Sequence, residues 1–204
     1  MDIISEYEEN NIRLRIVVDD DPLNPRTEWD NLGKMVCFHK RYNIGDKHNL
    51  TSSMFNSWDD LKEFLIKEHN AIIILPIYML DHSGITIRTR NFSDVDPGNW
   101  DSGMIGFIYV STEDIKKEFS TEDITEDIKT KAINILENEI KAYDNFLTGE
   151  VYGFMLEEKI ICDKCNNIEY DLIDSCFGFY SDDFLKEVVE CLEDKYKHMV
   201  YKLQ

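Results

Sequence analysis

Hydrophobic and polar positions along this chain change period several times. Ile12–Val18 (IRLRIVV) opens with apolar and basic side chains in alternation, the period-two signature of a half-buried strand. Met35–His39, Ala71–Leu80, Ile85–Arg90 and Met104–Val110 continue as short apolar runs, separated by loops such as Asn43-Ile-Gly-Asp46 and Asp81-His-Ser-Gly84. Within this series Ser57-Trp-Asp-Asp60 has the form of a capping box with Asp in place of Glu, and Leu61, Phe64 and Leu65 follow at helical spacing toward His69-Asn70. Ser111-Thr-Glu-Asp114 caps a short helix to Phe119. Ile128, Ala132, Ile135, Leu136, Ile140, Tyr143 and Leu147 then mark one face of a helix from about Thr125, which Gly149 stops. Val151–Leu156, Lys159–Cys162 and Ile168–Ile173 read as strands around a turn, and Asp174–Tyr180 as either a bent strand or a loop. Ser181-Asp-Asp183 caps a last helix that turns Phe184, Leu185, Val188, Val189, Leu192, Tyr196, Met199 and Val200 inward.

Strands come first, then helices mixed with a hairpin, with no βαβ repeat. The pattern predicts an α+β fold with a mainly antiparallel sheet, two long helices and a C-terminal Cys-bearing β-hairpin. A length of 204 residues suits one domain spanning 1–204, with a soft boundary near residue 120. No apolar run approaches the ~20 residues that span a bilayer. The acidic start, Met1-Asp-Ile-Ile-Ser-Glu6, has no export signal, so a cytoplasmic location with its five cysteines reduced is expected.

Charge divides the picture. The chain carries 41 acidic and 22 basic side chains, a net of −19, and all six arginines lie between Arg13 and Arg90. Arginine suits planar recognition of carboxylate or phosphate, so the front of the chain is the place to expect a ligand. Residues 112–204 hold 23 Asp and Glu against 11 Lys and no Arg. That excess disfavours direct binding to nucleic acid or an anionic membrane. It also suits carboxylates that imitate phosphates. The acids placed to do so are Glu122, Asp123, Glu126, Asp127, Glu137, Asp182, Asp183, Glu190, Glu193 and Asp194.

Three constellations carry candidate chemistry. His39, Arg41, His48, Asp81, His82 and Asp101 fall in loops that meet at one sheet edge if strands 71–80 and 104–110 are neighbours. Imidazole, guanidinium and carboxylate there suit a phosphate-bearing ligand, a divalent cation or proton transfer, and equally ordinary turn bonding. Cys37 and Ser83 are the nucleophile candidates nearest a histidine. Cys162-x-x-Cys165 at a turn, with Cys176 beyond it, has the look of a zinc knuckle that lacks a fourth ligand; unligated thiols and redox exchange are the alternatives. Gly106-Phe-Ile-Tyr109, Tyr152-Gly-Phe154 and Phe177-Gly-Phe-Tyr180 point to aromatic packing on a sheet.

Met35-Val-Cys-Phe-His-Lys-Arg-Tyr-Asn-Ile-Gly-Asp-Lys-His48, Asp81-His-Ser-Gly-Ile-Thr86, Trp100-Asp-Ser-Gly-Met-Ile-Gly-Phe-Ile-Tyr-Val110, Gly149-Glu-Val-Tyr-Gly-Phe154 and Asp174-Ser-Cys-Phe-Gly-Phe-Tyr180 form a set. Together they resemble a family of uncharacterised proteins from phages and mobile elements of Gram-positive bacteria, over most of residues 12–183. With the acidity, that resemblance implies a non-enzymatic antagonist of a host defence system, of the anti-CRISPR or anti-restriction type, acting inside the bacterial host cell. The expected partner is a host defence protein with a basic nucleic-acid groove. The competing expectation is a small metal-dependent enzyme, or a nucleotide- or phosphate-binding protein, built on the front loops.

Overall fold

The computed structural model describes residues 1–203. In chain order the elements are β1 (Ile3–Glu9), β2 (Ile12–Val18), α1 (Pro25–Glu28), β3 (Lys34–Cys37), α2 (Trp58–His69), β4 (Ala71–Asp81), β5 (Ile85–Arg88), β6 (Ser102–Ser111), α3 (Thr112–Glu118), α4 (Glu126–Thr148), β7 (Tyr152–Ile161), β8 (Ile168–Phe179), α5 (Phe184–Cys191) and α6 (Lys197–Val200). The fold is α+β, with two antiparallel four-stranded sheets. The chain divides into two compact units: an inner one, Asn24–Thr148, and a flanking one made of Met1–Leu23 and the chain from Gly149 onward. Residue 120 lies inside the inner unit.

The inner sheet runs β3-β6-β4-β5. Ala132, Leu136, Ile140 and Tyr143 of α4 cover one face, against Met35, Ile77, Ile108 and Val110. Leu61 and Leu65 of α2 cover the other, against Val36, Phe107 and Tyr109. Burial on both faces explains why β6 is a nearly continuous apolar run with no alternation. Helix α2 begins where the Ser57 hydroxyl accepts from the Asp60 amide (3.1 Å) and ends at Asn70, in the left-handed region at φ 51°. Such an N-cap is worth about 1 kcal/mol. At Gly106 a Cβ would stand 2.0 Å from the Val36 carbonyl oxygen, so β3 and β6 come this close only with glycine there.

A buried ion cluster fixes the loops behind this sheet. Arg26 donates to Asp46 (2.9 and 2.8 Å), to Glu139 of α4 (2.9 Å) and to the Gly33 carbonyl (2.7 Å). Glu139 in turn accepts from the Leu32 and Gly33 amides, and Asp46 from the Met35 amide. Burial works against the Arg26 charge, but Asp46 and then Glu139 hold the guanidinium pKa above its ordinary value.

The flanking sheet runs β1-β2-β7-β8. Leu14, Ile16, Phe154 and Leu156 on one face pack with Val188 and Leu192, and with Met199 and Val200 of α6. The opposite face is charged. Glu157, 5% exposed, accepts from Arg13 (2.9 Å) and Arg15 (2.5 Å), Arg13 lies over the Tyr170 ring at 3.3 Å, and Lys159 meets Glu8 at 2.7 Å. Pairing of β2 with β7, extended by the Asp19 amide to the Val151 carbonyl (2.8 Å), returns the chain beside the point where it left for the inner unit.

The structure departs from the sequence reading at several elements, and settles it at residues 174–179. β1 forms, although none of its residues is buried, so its alternation is too weak to stand out. β7 and β8 are each continuous, and Asp174–Phe179 is strand with Gly178 at φ 85°. The last helix breaks after Cys191, where Leu192 turns extended (ψ 146°) and stays buried at 3% exposure.

Candidate functional site

β6 is antiparallel to both β3 and β4, so the C-terminal ends of β3 and β4 meet its N-terminal end. The Phe38 amide donates to the Ile105 carbonyl (2.7 Å) and the Asp81 amide to the Asp101 carbonyl (2.8 Å), tying the three ends together. The loops that leave them enclose a cleft of about 550 Å³ lined by His39, Lys40, Arg41, Asp81, Trp100 and Asp101, among others. The expected neighbourhood of strands 71–80 and 104–110 is therefore present, and it gathers most of the front-loop candidates.

Several of these side chains are positioned by partners. Arg41 forms an ion pair with Asp81, which also accepts from the Tyr42 hydroxyl (3.4 Å). The His39 ring stacks on Tyr42, with centroids 5.2 Å apart and planes 6° apart. Its Nδ1 accepts from the backbone amides of Arg41 (3.4 Å) and Tyr42 (3.3 Å), which places the neutral ring's proton on Nε2. His82 Nδ1 lies 2.9 Å from Asp101 Oδ2; a carboxylate there accepts from Nδ1–H and leaves Nε2 as the basic nitrogen. Asp96 shapes the loop before β6. It accepts from the Trp100 amide (3.2 Å), the Asp101 amide (3.0 Å) and the Ser102 hydroxyl (2.8 Å). The hydroxyl contributes most to holding its carboxyl below the ordinary range. Trp100 is left 88% exposed on the rim. Asp101 is a residue that the sequence predicts for a site and Trp100, in the same turn, is not; a Trp directly after Pro97-Gly98-Asn99 is the signal for the rim.

Not every candidate joins. His48 lies in an adjoining hollow of about 710 Å³, where its ring nitrogens stand 3.1 Å from the Leu50 carbonyl and 3.2 Å from the Cys37 carbonyl, and its N–H donates to one of them. Cys37 is buried, and burial pushes its thiol up to about 12, which disqualifies it as a nucleophile near neutral pH. Ser83 sits at φ 57° in the β4–β5 turn. Arg13, Arg15 and Arg26 spend their guanidiniums on structural carboxylates, and Arg88 pairs with Asp94. Of the arginines, Arg41 is the one that lines the cleft.

Cys162, Cys165 and Cys176 are not a single ligand set. Cys162 and Cys165 are exposed at the β7–β8 tip, whereas Cys176 pairs with Phe154 eight residues along β8 from Ile168, roughly 25 Å away at about 3.3 Å per residue. The Cys176 thiol instead donates to the Phe177 carbonyl (3.8 Å). Among the described residues no three His, Cys, Asp or Glu side chains gather at metal-binding spacing.

The ten candidate acids divide five to each unit. Six pair locally with lysine: Glu122 with Lys116 (2.9 Å), Glu126 with Lys129 (2.7 Å), Asp127 with Lys131 (2.7 Å), Asp183 with Lys186 (2.6 Å), Glu193 with Lys195 (3.0 Å) and Asp194 with Lys197 (2.7 Å). Asp123, Glu137 and Glu190 are exposed. By unit, the flanking residues carry 20 acids against 8 bases and the inner ones 21 against 14. Among the described residues no helix is long and apolar enough to cross a membrane. Neither protein-family models, nor curated proteins, nor solved structures match this chain.

Proposed function

We propose that the inner unit is a binding module for a compact phosphate-bearing ligand of the nucleotide class, held in the cleft at the β3–β6–β4 rim. The observation that carries this reading is the convergence of His39, Lys40, Arg41 and Asp101, the last bonded to His82, beside the outward-facing indole of Trp100. Guanidinium, ammonium and imidazole N–H groups donate to phosphate oxygens with charge assistance. An exposed indole offers a stacking face for a base, and the cleft falls within the volume range of small-ligand sites. The test is a titration of the full chain with ADP and, separately, with inorganic phosphate, followed by tryptophan emission and amide chemical shifts. Saturable shifts at residues 38–42 and 100–105, weakened at least tenfold in Arg41→Ala, support the reading. Unchanged spectra at millimolar concentrations of both probes contradict it.

A second reading is favoured by the net charge of −19. In it, helix-borne acids, the exposed Glu137 and Glu190 among them, compete with nucleic acid for the basic groove of a host defence enzyme. The protein then acts as a phage or mobile-element antagonist. Binding to such a nuclease would fall steeply with added salt. Affinity that ignores both salt and reversal of these charges contradicts this reading.

A further inference from the structure

The last strand of the flanking sheet is an open edge with two chemically distinct faces. β8 is hydrogen-bonded to β7 on one side and is the terminal strand of its sheet. It is 12 residues long and contains neither Lys nor Pro, the residues that commonly protect an edge from further pairing. Its first five residues, Ile168–Leu172, hold an uninterrupted register against Glu157–Ile161 before the irregularity at Ile173. Along this stretch Ile168, Tyr170 and Leu172 of β8 share the face of Ile161, Lys159 and Glu157 of β7, and Glu169 and Asp171 share the other face with Ile160 and Glu158. Ile160, Ile161, Ile168 and Leu172 are 43%, 51%, 53% and 55% exposed, so the distal hairpin presents apolar side chains to solvent beyond the reach of α5 and α6.

We propose that β8 is a docking edge for an extended segment of a partner protein that alternates basic and apolar side chains. Antiparallel addition to the edge sets each partner side chain beside one of its own face. Basic side chains of the partner then stand beside Glu169, Asp171 and Asp174, and its apolar ones beside Ile168, Tyr170 and Leu172. A second copy of this chain fits less well, because two-fold pairing of β8 with itself sets its acids against acids. This proposal stands on the strand edge alone, independent of the cleft and of the helix-borne acids.

The experiment uses the full chain and a blocked, dye-labelled ten-residue peptide alternating Lys and Val. Its control is a peptide of the same composition with the five lysines contiguous. At low ionic strength the alternating peptide binds saturably, at least tenfold tighter than the control, and slows amide exchange at 168–174. Asp171→Lys, at an exposed position, weakens binding at least fivefold, and Glu137→Lys leaves it unchanged. Equal affinity for the two peptides, protection outside β8, or indifference to Asp171→Lys overturns the proposal. Concentration-dependent dimerisation through β8, with no peptide binding, assigns the edge to a second copy and overturns it too.

Discussion

The two sheets of this molecule are each built from four strands, yet they handle polar side chains in opposite ways. In the inner unit, helices α4 and α2 cover both faces of β3-β6-β4-β5. Polar groups are driven to the strand ends, where His39, Arg41, Asp81 and Asp101 collect in one cleft. In the flanking unit α5 and α6 cover one face only, so charge spreads over the other as the Arg13–Glu157–Arg15 layer and apolar residues reach solvent along β8. A sheet covered twice concentrates its chemistry at a rim; a sheet covered once offers a face and an edge.

The sharpest way to break this contrast is to remove the buried cation. Arg26→Ala leaves Asp46 and Glu139 without their shared partner and should destabilise the inner unit by about 3–5 kcal/mol, seen in denaturant melts. Arg13→Ala, at the more exposed layer of the flanking unit, should cost well under half of that. Next in size is backbone approach. Gly106→Val drives its side chain into the Val36 carbonyl and should cost about 1–3 kcal/mol or more. Gly103→Ala, three residues away and with nothing within 4 Å of its added Cβ, should stay within about 0.5 kcal/mol of the parent.

Much of this was legible in the chain. The stripe Ala132-Leu136-Ile140-Tyr143 and the Ser57 cap lie where helical periodicity and capping chemistry put them. The Asp81 and Asp101 turns meet because the intervening strands are apolar enough to be neighbours in a buried sheet. What escaped has physical reasons. β1 has no buried residue to mark its alternation. The break at Leu192 has no Gly or Pro to announce it. The role of Arg26 depends on Glu139, 113 residues away, and no local pattern records such a pairing. His48 looked like a ligand group beside Lys47, but its ring nitrogens face two backbone carbonyls.

Two smaller effects sharpen the comparison further. Amides of Ile168–Asp171, on the uncovered ribbon, should exchange at least a hundredfold faster than those of Ile105–Val110, read by native-state hydrogen exchange. The cleft loop should also be sensitive to acid. Arg88 lowers the pKa of Asp94, and the Ser102 hydroxyl with nearby amides lowers that of Asp96. Their bonds therefore contribute fully above the ordinary carboxylate pKa of about 4 and are lost as pH falls through the depressed folded values. Amide shifts of residues 94–102 should move in that acid range, and Asp96→Asn should loosen the same loop already at neutral pH.

Under the proposed function, the rim of the inner sheet binds a phosphate-bearing ligand through Arg41 and Trp100. Calorimetric titration of ADP into the full chain, beside an Arg41→Ala, Trp100→Ala double variant of unchanged melting behaviour, tests it most directly. Saturable heat in the parent and at least a thirtyfold loss of affinity in the variant is the expected result. Equal binding by both proteins, or heat from neither, would contradict it.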